Sequence, residues 1–422
     1  MHFQSLRYLL GKFRDERGNV AILFALMAVP LLLLTGLAID IARVRHTESI
    51  AQAALDSAVL AGVKEYPSKM KSIAEAFYSA NAAVHFGASS TPSFGLRSDG
   101  KLWGSQAVVV PTPFGSLAGI PTMTVNVSAT AAASADEFCV LALAGSGAAT
   151  AIRTNGAGSA NLGCNIKSNS SMTCFGHNLG APIANATGTN SGCGVTQLSN
   201  KPAVSDPYTE LAGNVPTDTC AIYPKIPTVK NGVALPLGNQ WHGSYTLSGN
   251  VRFCGDQQLT ANTTINSPNG AVLVIYNGVL DLNGFTLKGA QGSGLTIVFA
   301  GTDNSLYSHI LTGGGTLDFT APTSGAWKGV VIYQIPTLSI NVHFTAAGNS
   351  PAWNLTGLVY LPHASVTLSG AVNKSSNGAS CLALVVDNII VNGTGAIFTN
   401  NNQCAQAGLM MPHSIKMTNI VN

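Results

Sequence analysis

The chain has 422 residues, of which 46% are hydrophobic and only 9% charged, against about 25% charged in ordinary soluble domains. Its 21 Lys+Arg nearly cancel its 18 Asp+Glu, leaving a formal charge of +3, which excludes a protein held to nucleic acid by a clustered basic surface. A chain this apolar is not a disordered one, and 45 glycines among many Asn, Ser, Thr and Val residues point to stacked β-structure outside the cytoplasm.

Arg7, Lys12, Arg14 and Arg17 lie in the first 17 residues, and the next 22, Gly18 to Ile39, carry no charge. At ~1.5 Å per residue a helix over that run crosses a ~30 Å hydrocarbon core. Pro30 kinks such a helix without forbidding it. Val20, Leu23, Phe24, Leu31 and Leu37 are the expected anchor residues. Only Arg43 and Arg45 follow closely, so the Lys/Arg excess predicts a cytoplasmic tail at 1–17 and a single-pass anchor at 18–39. The expected location is a bacterial inner membrane, with the remainder in the periplasm or at the cell surface. A cleaved secretory signal is the rival reading, but the run exceeds an ordinary signal core and no A-x-A site follows it. A type IV prepilin would carry Glu five residues after the cleavage glycine, where Leu23 stands counted from Gly18.

Beyond Asp40 the pattern stays helical to about Val63, with Val44, Thr47, Ala51, Leu55, Ala58 and Gly62 along one stripe. Its small residues admit close approach, and partner helices are expected on it. A second helix is expected from about Pro67 to Val84, then β-prone runs at Gln106–Val110 and Thr122–Ser128, with Ala129–Ala135 as a small-residue connector.

Three features occur in order here: Arg17-Gly18-Asn19-Val20-Ala21, then Gly36-Leu37-Ala38-Ile39-Asp40, then Gln52-Ala53-Ala54-Leu55-Asp56-Ser57-Ala58-Val59-Leu60-Ala61. Together they resemble the TadE/TadG-like proteins of Flp (Tad) pilus assembly, over about residues 14–65. The absence of a Glu after Gly18 makes the chain more similar to the uncleaved TadG type than to the processed TadE type. The resemblance implies a structural, non-enzymatic part in pilus assembly and cell adhesion. Its implied partners are the membrane and other pilus-assembly or pilin-like membrane helices. It also singles out Asp40, Gln52 and Asp56 as partner-contact candidates; the plainer role for Asp40, close to Arg43, is to fix helix depth. The Asp-x-Ser-x-Ser metal motif of some TadG-like members is not in the sequence.

From Cys139 onward an apolar strand recurs at Val272–Tyr276, Leu295–Phe299, Val330–Tyr333, Leu358–Leu361 and Leu382–Val386. Most of these runs lead into a turn and a second strand ending in Gly or Asn, as in Val279-Leu280-Asp281-Leu282-Asn283-Gly284. Such spacing fits the coils of a parallel β-helix, with the Pro/Asp-rich stretch Lys201–Leu237 as a loop insertion. A β-sandwich is the alternative. The expected class is therefore α+β, divided as 1–17 tail, 18–39 anchor, 40–138 helical pilin-like region with a short β segment, and 139–422 β-domain. All eight cysteines lie in the last region, as an oxidising compartment permits. Neighbouring rungs lie ~4.8 Å apart, within disulfide reach. Spacings near one coil pair Cys139 with Cys164 and Cys381 with Cys404; Cys174–Cys193 and Cys220–Cys254 complete the set.

Catalytic residues, cofactor sites and metal sites are not expected. Glycoside hydrolysis needs two carboxylates ~5–10 Å apart. Asp281 and Asp318 are the best-placed pair, although solvent-facing strand positions explain them more simply. Asp206 and Glu210 read as a solvated acidic spot. His242, His343 and His363 are dispersed, and no His-x-His or C-x-x-C spacing holds zinc. Gly145-Ser146-Gly147 and Gly292-Ser293-Gly294 lack the nucleophile elbow. Trp103, Trp241, Trp327 and Trp353 would serve sugar stacking only if exposed. The alternative function is a membrane-anchored β-helical protein that binds or cleaves carbohydrate, with surface glycans as its ligands.

Overall fold

The computed structural model describes residues 16–86, 91–145, 150–156, 161–228, 232–345, 353–369, 371–373, 381–392, 396–397, 404 and 407–421. They fall into two compact units, Met1–Ala135 with Ile415–Asn422, and Asp136–Ser414.

In the first unit helix α1, Glu16–Gly62, runs unbroken for 47 residues through Pro30. Helix α2, Pro67–Phe86, opens on a proline whose missing N–H would be unpaired at that position anyway. Strands β1 (Ser93–Leu96), β2 (Leu102–Pro111) and β3 (Thr122–Glu137) pair antiparallel, and the C-terminal strand His413–Ile420 completes the sheet beside β3. That strand belongs with the first unit rather than with the 139–422 region in which the sequence places it, and it covers what would otherwise be an open sheet edge. Ala51, Leu55, Ala58, Val59, Met70, Ala74, Tyr78, Phe94, Leu102 and Val127 form the core.

Two expectations are corrected here. The small-residue stripe of α1 is covered by the chain's own α2 and sheet: Ala51, Leu55 and Ala58 are fully buried, and a Cβ on Gly62 would lie 2.5 Å from Leu102 Cδ2 and from the Met70 carbonyl. Ala129–Ala135 is no connector but part of β3. Ala129 and Ala131 alternate inward and are small where sheet and helix approach closely.

In the second unit the ladders among described residues are parallel. One stack passes, neighbour to neighbour, through 249–254, 271–276, 295–300, 330–334, 357–361, 382–386, 140–142, 166–168, 183–186 and 196–198. A second holds 240–246, 257–266, 280–289, 310–320 and 353–356. A third holds 342–345, 366–369, 388–392, 152–155, 172–174 and 190–191. Sequence order is thus cut once. The chain enters the first stack part-way along at 140–142 and leaves it at 196–198. It starts again at the opposite end and advances until 382–386 pairs with 140–142.

Within the segment that makes this return, residues 199–228 lie over the stack as a strap. Lys167 Nζ donates to Pro202 O (2.7 Å), and Asn169 exchanges two bonds with the Val204 main chain (2.8 Å each). Tyr360 OH donates to Asp206 Oδ2 (2.7 Å), Tyr276 OH to Pro216 O, and the Ile226 N–H to Asp256 Oδ2 (2.8 Å). Higher strap numbers therefore meet rungs progressively farther from 166–168. This cover explains the strand sequences. Ala271–Tyr276, Leu295–Ala300 and Val330–Gln334 are buried at every position, and parallel strands covered on both faces read as unbroken apolar runs.

Four disulfides close the unit: Cys139–Cys164, Cys174–Cys193, Cys220–Cys254 and Cys381–Cys404. Cys139–Cys164 flanks the paired strands 140–142 and 166–168, while Cys220–Cys254 ties the strap to a stack strand.

Candidate functional site

The features that the sequence singles out lie along α1. Over its first half the helix is bare and apolar: Leu23, Phe24 and Leu31 are exposed, Phe24 by 74%, and Leu37 is half-buried. Val20 lies in the helix, but its side chain is outside the described set, as are residues 1–15 of the expected tail. Leu23–Gly62 is long and apolar enough to cross a membrane. Water would penalise this face, and lipid would not.

Asp40, the first charge after the run, is only 2% exposed. Its Oδ2 accepts the main-chain N–H groups of Phe114 and Gly115, both at 2.8 Å. Those groups open a 3-10 turn, Gly115–Ala118, at the tip of the β2–β3 hairpin, closed by Gly119 at φ 82°. A carboxylate is suited to this place because it satisfies two N–H groups that the turn leaves unpaired. The Phe114 ring lies directly on Gly36, where any Cβ would collide with it. Asp40 is therefore used inside the chain, fixing the hairpin to the helix where the apolar run ends.

About three turns of α1 separate Asp40 from the next pair. Gln52 Nε2 donates to Asp56 Oδ1 (2.7 Å) and to the Ser128 carbonyl on β3 (2.9 Å). Gln52 and Asp56 are half-buried and join α1 to the sheet. The structure thus groups the three polar motif residues as hairpin and sheet fasteners of one helix.

Residues 18–65 match the family model described as Tad: Putative Flp pilus-assembly TadE/G-like. This segment is similar to TadE/G-like Flp pilus-assembly proteins. No curated protein and no solved structure matches the chain. The TadE/G-like segment coincides with the bare half of α1, the Asp40 fastening, the buried stripe and the turn that leads to α2.

Among the described residues, those singled out above are not brought together as a reaction centre. Asp281 accepts from Gln258 Nε2 and Asn283 N–H, whereas Asp318 accepts from Asn354 Nδ2. Their ladder partners differ, Leu311 for Asp281 and Lys288 for Asp318, so they are not stacked as a pair. Asp206 is engaged by Tyr360, and Glu210 lies in a 3-10 turn of the strap. A cleft of about 530 Å³ opens between the turns around Pro268, Gly292 and Pro322, and Asp318 is its single lining carboxylate. Trp241, Trp327 and Trp353 are core residues. His343 stacks on Tyr307 at 4.8 Å, His242 and His363 are exposed, and Ser146 lies outside the described residues. Among the described residues, no group of three or more His, Cys, Asp and Glu side chains could hold a metal ion.

Two buried basic side chains carry no sequence motif. Lys167 lies under the strap, where burial, aided by the charge of Lys201, pulls its pKa down to about 8; its amine bonds Thr187 Oγ1 and Pro202 O. His309, 1% exposed, stacks on Phe299 at 4.4 Å and places Nδ1 3.3 Å from the Gly278 carbonyl. Burial holds its pKa down to about 4. The hairpin tip also escaped sequence reading, although residues 102–135 contain no charge, which was its available signal.

Proposed function

We propose that this chain is a non-enzymatic structural component of a Tad-type Flp pilus apparatus. Its N-terminus is cytoplasmic, residues 18–39 are held in the inner membrane, and both units project into the periplasm. The observation that carries this reading is the coincidence of the TadE/G-like match at 18–65 with a helix that is exposed and apolar before Asp40 and buried against its own unit after it. The larger Lys/Arg count before the run supports the orientation. Four disulfides support an oxidising compartment for the second unit. We read that unit as a parallel β-helix: three parallel stacks with roughly one-turn steps support it over a sandwich, whose sheets are antiparallel. Partner helices meet the bare half of α1 rather than its small-residue stripe.

Cells that lack the chain are expected to lose Flp pili in electron micrographs. The full chain restores them, and a version with 18–39 replaced by a cleaved secretion signal does not. Normal piliation in the deletion strain overturns the proposal. Protease added to spheroplasts tests the orientation separately, and is expected to digest the region after Asp40 while intact cells protect it.

A further inference from the structure

The β2–β3 hairpin tip exposes apolar side chains where a soluble loop would carry polar ones. Pro111 to Thr124 includes no charged residue, yet Leu117 is 72% and Ile120 53% exposed, with Phe114 and Met123 also open. This tip is held in place. Asp40 grips the Phe114 and Gly115 N–H groups at 2.8 Å, and the Phe114 ring rests on Gly36. Gly36 lies three residues before Ile39, the last residue of the uncharged run. At ~1.5 Å per residue that is about 4.5 Å inside the run. On the same helix Arg43 and Arg45 are exposed about 6–9 Å beyond Ile39, the level at which cationic side chains meet lipid phosphates.

We infer that the hairpin tip, through Leu117 and Ile120 with Phe114 beside them, is a second membrane contact that dips into the outer edge of the hydrocarbon region of the bilayer that α1 crosses. The inference rests on the proposed reading of 18–39 as a membrane span. Lipid is the occupant because the tip continues the exposed apolar surface of α1 and is fastened to it at the depth where that surface ends. Amphipathic surface elements bury apolar side chains ~5–10 Å into this boundary, and an isolated exposed patch would face water at a cost proportional to its area. With two points of contact, helix and hairpin, the first unit is fixed in tilt and rotation against the membrane as well as in depth.

The test uses the full chain in vesicles of phosphatidylcholine and phosphatidylglycerol whose acyl chains are brominated either near the headgroup or near their ends. Leu117→Trp and, as an independent probe, Ile120→Trp are expected to be blue-shifted and quenched beyond the unsubstituted protein, most strongly by the shallow bromines. Leu31→Trp is expected to be quenched most by the deep bromines. Quenching of Leu31→Trp with water-like, unquenched emission from both hairpin probes overturns the inference and leaves the span intact. Blue-shifted but unquenched hairpin probes assign the tip to a second protein copy and also overturn it. Absence of quenching at Leu31→Trp removes the span itself, and the inference with it.

Discussion

Asp40 is the residue on which most depends in the first unit, because one carboxylate oxygen holds two main-chain donors. Asp40→Ala leaves both unpaired and is expected to cost about 1–2 kcal/mol. Amide exchange at Phe114 and Gly115 would accelerate selectively, while Asp40→Asn, which keeps an acceptor oxygen, falls between the two. His309 gives a residue-level prediction with a defined pH window. Its folded pKa, about 4, lies below the ordinary 6.5 because burial disfavours the imidazolium. The unfolded chain takes up a proton as pH falls through about 6.5, and the folded chain does so only near 4. Stability is therefore complete above about 6.5 and is lost progressively down to about 4, by about 3 kcal/mol for this group. Urea midpoints measured across that window should fall for the native chain. The slope should be shallower for His309→Gln, and an unchanged slope would remove His309 as its source.

At the scale of elements, α1 was legible in the sequence from end to end. Its uncharged run marked the bare half, and its three/four spacing marked the half that packs. What covers the stripe was not legible, since small residues on a helix suit another chain's helix as well as this chain's own sheet. Gly62 decides the matter physically. Gly62→Val pushes a side chain into Leu102 and the Met70 carbonyl, and overpacking of this kind is expected to cost about 1–3 kcal/mol. A lowered melting temperature of the purified full chain would show it; an unchanged one would mean that α1 and the sheet are not in contact there. The apolar strands were legible for the same reason that they are stable, because both faces are covered. The strap was not. Residues 199–228 carry no helical or strand period, and their course is set by scattered contacts such as Asp206 with Tyr360 and Asn169 with Val204.

Across the whole molecule, the cut in strand order in the second unit could not be read from sequence, because rung strands of one type look alike and nothing in their residues says which pair is closed last. Its structural counterpart is the strap, and Cys220–Cys254 pins the strap's far portion. Replacing both cysteines by serine is expected to cost about 2–4 kcal/mol and to open 199–228 to limited proteolysis. Equal protease resistance with and without the bridge would show that the side-chain contacts hold the strap alone.

The cut also has a temporal meaning. A chain that emerges N-terminus first presents 139–198 early, but the strand on which 140–142 rests, 382–386, arrives last. Until then one side of the early strands has no template. Open strand edges recruit other chains, and contacts this distant in sequence form slowly. The early rungs are thus committed to waiting for nearly the whole of the chain's synthesis. A folding helper that shields this one edge, and is released when 382–392 arrives, would match the order in which the molecule is made.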